Sequence, residues 1–250
     1  MRRTIMTKIA IIIPSRLHAQ RLPNKPLKLI GKKEMILHVY DVAIKSKVGD
    51  VIVATPDQEI FEKVNTYGGT AVLTNIKHET GTDRVFEVFE KTYEKNLDVI
   101  INLQGDMPNL DPSAIIQLVE HMSKNSCDIA TLASKIENTK DLRDKNICKV
   151  TTNKIIKKNK FASALDFNRI LDGNIKENIY HHVGIYAFTN NALIRYVNLK
   201  RSKLEINRKL EQLRALENKM KIEVGYMDSY PLSVDTENDL LKIKNEMGNK

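Results

Sequence analysis

Through the first half of the chain, short β-branched apolar runs alternate with longer stretches whose apolar positions recur every three or four residues. That pattern belongs to βαβ units feeding a mainly parallel sheet. Strands are predicted near Lys8 to Pro14, Asp50 to Thr55, Thr70 to Thr74 and Asp98 to Leu103, and they are buried if helices cover both faces. Helices are predicted near Glu34 to Ser46, Asp57 to Tyr67, Thr82 to Glu94 and Asp111 to Lys124. Asp111-Pro112-Ser113-Ala114 reads as an N-cap followed by proline at the first helical position, and Gly68-Gly69 as a helix stop.

From about Lys135 to Asn178 the pattern becomes irregular and lysine-rich, with strand-like pieces at Ile147 to Thr152 and Ala162 to Phe167 and turn residues at Asp172-Gly173-Asn174. This stretch reads as an insertion. Periodicity then returns: a strand at His181 to Phe188, helices at Asn190 to Leu199 and Arg208 to Asn218, a strand at Lys221 to Tyr226 and a closing helix at Asp239 to Met247. No internal repeat or low-complexity tract suggests separable parts, so residues 1–250 are expected to form one domain with an insertion near 135–190.

Charge changes the picture only slightly. The formal net charge is +9 and the pI about 9.3, which by itself motivates a nucleic-acid-binding reading. Lys and Arg are, however, scattered among acids rather than gathered into a stripe interleaved with aromatics, so no nucleic-acid partner is expected. Cys127 and Cys148 show no metal-ligand or CxxC spacing and read as reduced structural thiols. Met1 to Thr7 is too short and polar for a secretory signal, and no apolar run approaches the ~18 residues needed to span a bilayer. A soluble, cytoplasmic protein without a membrane partner is expected.

The chemistry concentrates at strand ends. Asp106 ends the run Val99-Ile100-Ile101-Asn102-Leu103-Gln104-Gly105-Asp106, and Asp235 has a similar setting in Pro231-Leu232-Ser233-Val234-Asp235-Thr236. In open α/β sheets ligands gather beyond the carboxyl ends of strands, and two carboxylates with phosphates make a Mg²⁺ site. After the first strand, the proline-bounded loop from Pro14 to Leu27 holds Arg16, Arg21 and Lys25 with almost no acid, which suits a polyphosphate. It has no glycine, so side-chain charge must replace much of a backbone phosphate cradle. Taken singly, each feature has a plainer reading: a solvated basic loop, a turn or capping aspartate, Thr82 as an N-cap, Tyr186 as core filling, Glu211 as a solvated helix charge.

Taken together and in order, R-x-x-x-x-R-L-P-x-K-P-L, G-T-D-R, Q-G-D, H-V-G-I-Y, L-E-Q-L-R and V-D-T resemble the 3-deoxy-D-manno-octulosonate cytidylyltransferases from about Lys8 to Met247. The resemblance implies a nucleotide-diphospho-sugar transferase-like α/β fold, with a central, mostly parallel sheet flanked by helices and a smaller β-rich elaboration that builds a homodimer. It also implies transfer of CMP from CTP to an acidic eight-carbon sugar for lipopolysaccharide synthesis, with release of pyrophosphate. Arg16, Arg21 and Lys25 would then lie on the CTP phosphates; Thr80, Gly81, Thr82 and Arg84 would enclose the cytidine; Asp106 and Asp235 would hold Mg²⁺. Gln104, Arg169, His182, Tyr186, Glu211 and Gln212 would receive the sugar acid, Arg169 pairing with its carboxylate.

The chain departs from this pattern at Ala19, where the loop usually carries serine, at Met107, and at Leu165-Asp166-Phe167-Asn168-Arg169, where Asp166 and Asn168 replace an aromatic residue and a serine. These changes keep open another acidic sugar, an N-acylneuraminate or an 8-amino analogue, or a catalytically weakened homologue. A transferase using a preformed nucleotide-sugar would show an Asp-x-Asp motif, whereas Asp106 is followed by Met107 and Pro108.

Overall fold

The computed structural model describes residues 8–18, 21–171 and 177–248. Met1 to Thr7, Ala19 and the turn expected at Asp172-Gly173-Asn174 lie outside the described residues. The chain forms two compact units, one of residues Met1–Ile116 with Pro231–Lys250 and one of Gln117–Tyr230. The segment read as an insertion falls inside the second.

The first unit begins with β1 (Ile9–Pro14), the 3₁₀ turn Lys25–Leu27, the small hairpin β2 (Leu29–Ile30) and β3 (Lys33–Glu34), and α1 (Met35–Ser46). It continues with β4 (Asp50–Thr55), α2 (Gln58–Thr66), β5 (Ala71–Leu73), α3 (Gly81–Tyr93) and β6 (Val99–Leu103). Its strands run in the order β5-β4-β1-β6, every pair parallel. Ile11, Ile12, Ile13, Ile100 and Ile101 are fully buried, as unbroken apolar strands require when both faces are covered. Parallel order sends the carboxyl ends of β1 and β6 to one edge, where the residues after Pro14 and after Leu103 meet. The short hairpin after the loop has no counterpart in the sequence reading, because a two-residue strand leaves no periodicity to detect.

Along the helix α4 (Pro112–Lys124) the chain passes to the second unit, and Asp111 caps that helix as expected, its Oδ1 accepting from Ser113 N at 2.8 Å. Next come β7 (Ile129–Ser134), α5 (Thr139–Arg143), β8 (Lys149–Thr152), β9 (Phe161–Asn168), β10 (Ile179–Thr189), α6 (Asn190–Val197), α7 (Lys203–Arg208), α8 (Leu213–Glu217) and β11 (Ile222–Met227). The sheet here is mixed. β7 pairs parallel with β11 and antiparallel with β10, while β9 pairs antiparallel with both β11 and β8. At 11 residues, β10 is long enough to pair β7 along 181–188 and β8 along 179–181, so the strands close back on themselves. The register of β10 slips between Val183 and Tyr186. Thr131 fills that bulge, its hydroxyl donating to Ile185 O at 2.7 Å and lying 3.2 Å from Val183 O.

Of the helix expected over Arg208 to Asn218 only α8 (Leu213–Glu217) forms, and α7 (Lys203–Arg208), which the sequence reading did not include, precedes it. α7 stops at Arg208 because Lys209 is left-handed (φ 54°), and Leu210 turns inward to become buried before α8 begins at Leu213. A helical apolar period cannot report a single residue with positive φ. Back in the first unit, α9 (Glu237–Met247) starts at Thr236 with a capping box to Asp239. No helix among the described residues is long and apolar enough to cross a membrane. Both cysteines are free thiols.

Candidate active site

The basic loop is held by its apolar residues. Leu22 is buried with Ile30, Met35, Val234, Leu240 and Ile243, which ties the loop to the segment carrying Asp235. Asn24 takes the left-handed conformation (φ 54°, ψ 28°), and Pro26, fixed in φ, is buried in the 3₁₀ turn. Leu17 N donates to Asp57 Oδ2 at 2.8 Å and Asn24 N to Leu17 O at 3.2 Å. With Leu22 and Pro26 turned inward, the side chain of Lys25 reaches across to the aspartates.

Its ammonium lies 3.0 Å from Asp106 Oδ2 and 3.1 Å from Asp235 Oδ1, and Arg21 Nη2 lies 3.0 Å from Asp235 Oδ2. The two acids are joined through the backbone as well, Val234 N donating to Asp106 O at 2.9 Å. Burial pulls the Lys25 pKa down, but attraction and hydrogen bonds from Asp106 and Asp235 outweigh it, so the amine sits above its ordinary value. Asp106 and Asp235 thus converge on one cation-sized point that is already filled by positive charge. Hard carboxylate oxygens in that arrangement fit Mg²⁺.

A cavity of about 580 Å³ opens here. Arg16, Arg21, Lys25, Thr80, Gly81, Arg84, Gln104, Asp106 and Asp235 line it, bringing nine of the expected residues to one place. Gln104 is held by its amide, which donates to Asn102 Oδ1 at 2.8 Å. Arg84 is buried, with Nη1 donating to Thr74 Oγ1 at 3.0 Å. Burial first, then the charge of Arg16, lowers its pKa. Thr80, not Thr82, caps α3, accepting from Asp83 N. Thr82 is absent from the lining: it is buried, and its hydroxyl accepts from Asn102 Nδ2 at 3.1 Å.

Sequence reasoning passed over Ser15, His18, His78 and Glu79, which also line the cavity. Ser15 had a signal in its position just past the end of β1. Among the described residues its hydroxyl is one of three buried side-chain atoms in the protein without a hydrogen-bond partner, and it stands beside a cavity that could supply one. His78 lies 2.5 Å from Glu87 Oε2, a contact across one turn-and-helix segment that no spacing rule flags.

Arg169, His182, Tyr186, Glu211 and Gln212 belong to the second unit, where they gather about β8 and β10. Gln212 Nε2 lies 3.5 Å from Cys148 Sγ, and His182 N donates to Cys148 O at 2.9 Å. The His182 ring meets Phe167 edge-on at 5.0 Å and Tyr186 at 5.5 Å. Glu211 O accepts from the Tyr196 hydroxyl at 2.9 Å. Arg169 donates through Nη1 to Asn146 O, and its own carbonyl accepts from Lys149 Nζ at 2.8 Å. The unusual Asp166 is paired with Arg208 at 2.6 Å, so its charge is taken up within the unit.

Because the Thr131 hydroxyl donates to Ile185 O, it can only accept from His182 Nε2, at 3.0 Å, which fixes His182 as the neutral Nε2–H tautomer. Burial first, then the charges of His181 and Arg169, depresses the His182 pKa to about 3; burial and Lys149 bring His181 to about 4. A histidine held neutral when folded binds fewer protons than its unfolded form, so stability is present above the unfolded pKa near 6.5 and falls as pH drops toward the folded values. At pH 5 each is expected to cost about 2 kcal/mol relative to pH 7. Urea unfolding of wild type and His182→Gln at the two pH values checks this: the variant should lose less on acidification, and equal losses would remove His182 from the account.

Comparison with known proteins points one way. The family model described as Cytidylyltransferase matches residues 10–222. The chain is 40% identical over 235 residues to the 3-deoxy-manno-octulosonate cytidylyltransferase of Bartonella tribocorum, covering 94% of this chain and 96% of that protein. It is 39% identical over 231 residues to the protein of the same name from Paramagnetospirillum magneticum, covering 92% and 94%. Among solved structures it is similar to CMP:2-keto-3-deoxy-manno-octonic acid synthetase complexed with CTP, with a TM-score of 0.87 and 34% identity over 97% of this chain and 99% of that one.

Proposed function

Since the chain belongs to the 3-deoxy-manno-octulosonate cytidylyltransferase family, we propose that it transfers CMP from CTP to 3-deoxy-D-manno-octulosonate and releases pyrophosphate. The observation that carries the reading is the convergence of Asp106 and Asp235 on the Lys25 ammonium, in a cavity that Arg16, Arg21 and Arg84 also line.

In this reading Arg16, Arg21 and Lys25 neutralise the triphosphate and the departing pyrophosphate, and Thr80, Gly81 and Arg84 surround the nucleoside. Asp106 and Asp235 would hold Mg²⁺, which when bound would offset phosphate charge and acidify the sugar's anomeric hydroxyl. That hydroxyl attacks the α-phosphorus in line, the bond to the β-phosphate oxygen breaks, and the hydroxyl proton leaves to solvent. Arg169 takes the sugar carboxylate, while Gln104, His182, Tyr186, Glu211 and Gln212 meet its hydroxyls. The neutral Nε2–H form of His182 adds no charge to that set. The chain's contribution is positioning and fixed charge rather than covalent chemistry. The family reading also carries a cytoplasmic homodimer serving lipopolysaccharide synthesis.

Incubating the protein with CTP, Mg²⁺ and the sugar acid should release pyrophosphate well above a no-sugar control. N-acylneuraminate and the 8-amino analogue, run in parallel, decide the acceptor, and faster turnover of either would reassign it. No release with any of the three would remove the nucleotidyl-transfer reading.

A further inference from the structure

Within the second unit three side chains of different donor type come together from separate segments: His121 in the last turn of α4, Cys127 just before β7, and Glu223 on β11. An imidazole nitrogen, a thiol sulfur and a carboxylate oxygen all lie within 4.8 Å of one another, the one such group of three among the described residues. None of them lines the cavity around Asp106 and Asp235. We infer that His121, Cys127 and Glu223 form a binding site for a single thiophilic divalent cation, zinc by its donor set.

The geometry needs little change. Tetrahedral bonds of about 2.0 to 2.3 Å place ligand atoms roughly 3.3 to 3.8 Å apart. His121 Nε2 and Glu223 Oε2 start at 2.5 Å and must open by less than about 1 Å, while the thiol closes by a similar amount through side-chain rotation. The orientation of each donor is already set. The His121 ring lies flat on Phe161, with centroids 3.5 Å apart and planes at 10°. Its Nδ1 is 3.1 Å from the Asn125 side-chain amide, which on turning presents an oxygen to Nδ1–H, the outer partner a ligating imidazole needs. Lys221 grips the other Glu223 oxygen at 2.8 Å, leaving Oε2 for a single bond. Among the described residues the hydrogen-bond acceptor of Cys127 Sγ is the weak thioether of Met122, at 3.5 Å, so the thiol gives up little on releasing its proton.

Uptake is balanced by one proton. The Cys127 thiol loses its hydrogen to solvent, the imidazole hydrogen moves from Nε2 to Nδ1, and thiolate plus carboxylate neutralise the divalent charge. Burial first, and then Glu223, pushes the thiol up to about 12, so without a cation it stays protonated and affinity rises with pH. Cys127 is buried while His121 and Glu223 are half-buried, which leaves water for the fourth position.

Cobalt titrated into the full-length chain is the test. One equivalent should give the near-ultraviolet thiolate-to-cobalt band with tetrahedral visible absorption, retained in Cys148→Ser and lost in Cys127→Ser. His121→Gln and Glu223→Gln should each weaken Co²⁺ binding at least about tenfold. As a check independent of the cysteine substitution, Zn²⁺ should raise the melting temperature of the wild type and not that of His121→Gln. A band that survives in Cys127→Ser, no band in the wild type, or equal Zn²⁺ stabilisation of wild type and His121→Gln would each overturn the site.

Discussion

Replacing Asp106 with alanine is expected to lower the turnover of CTP with the sugar acid and Mg²⁺ by at least about a hundredfold, the cost of losing about 3 kcal/mol of transition-state stabilisation. Asp106 Oδ2 and Asp235 Oδ1 lie 3.0 and 3.1 Å from the same nitrogen, so removing either takes away half of the protein oxygens that converge there. What remains is Lys25 and Arg21 against a single carboxylate, a surplus of positive charge that still attracts the triphosphate. The loss should therefore fall on kcat more than on CTP affinity, and Asp235→Ala should behave alike. The fold should survive, because the bond that joins the two segments runs from Val234 N to the backbone oxygen of Asp106, which alanine keeps. Steady-state kinetics beside a thermal unfolding curve separates the two effects. Near-normal turnover in either variant would strike that aspartate from the mechanism.

The largest stability effect is expected at Arg214→Met, at about 3 kcal/mol, the lower end of the usual cost of breaking a buried ion pair, because Glu205 keeps one contact from the half-exposed Arg201, Nε to Oε1 at 3.1 Å. Arg214 and Glu205 form a two-point pair, Nε to Oε2 at 2.9 Å and Nη2 to Oε1 at 2.7 Å, with side chains only 4% and 2% exposed. Arg214 also stacks over Tyr196, its Cζ 4.8 Å from the ring centroid. Glu205 caps α7 by accepting from Ser202 N at 3.1 Å, so the pair fastens α7 to α8 across the turn that interrupts them. Burial raises the Glu205 pKa, but hydrogen bonds from Arg214 and Ser202 outweigh it and leave the carboxyl below its ordinary value. Its contribution is therefore present above the unfolded pKa of about 4.5 and lost as pH falls through the folded value, so wild type and variant should converge in acid. At neutral pH the melting temperature should drop by about 10 °C. Arg214→Met combined with Glu205→Gln should recover part of it, since no buried charge is then stranded. A loss under about 1 kcal/mol would show that water reaches the pair.

Much of this was legible in the residues themselves. The apolar runs of β1, β4 and β6 appear where their periods put them, and the N-cap at Asp111 was readable from local chemistry alone. Eight of the nine residues assigned to phosphate, nucleoside and metal contacts line one cavity, together with Gln104, assigned to the sugar, and the segments that follow the parallel strands β1 and β6 share that edge. Thr82 is the exception: one position past Gly81, it falls on the inward side of α3, and only the packing of Asn102 against it reveals this. His78 was missed because nothing in its neighbours' types distinguishes a loop residue that faces a cavity from one that faces solvent, whereas Ser15 could have been found from its place just past β1.

The sequence by itself determined the alternation of elements, the charge of the loop after β1 and the placing of Asp106 just past β6, since each is encoded within a few residues; Asp235, expected at a strand end as well, stands instead in an irregular segment between β11 and α9. Tertiary structure alone decided that Lys25 stands between acids 81 and 210 positions away, that β10 closes a sheet by pairing twice, and that His121, Cys127 and Glu223 meet. Periodicity and capping act over a turn or two of chain. Contacts between distant segments depend on which strands pair and how side chains pack, and those choices belong to the whole fold.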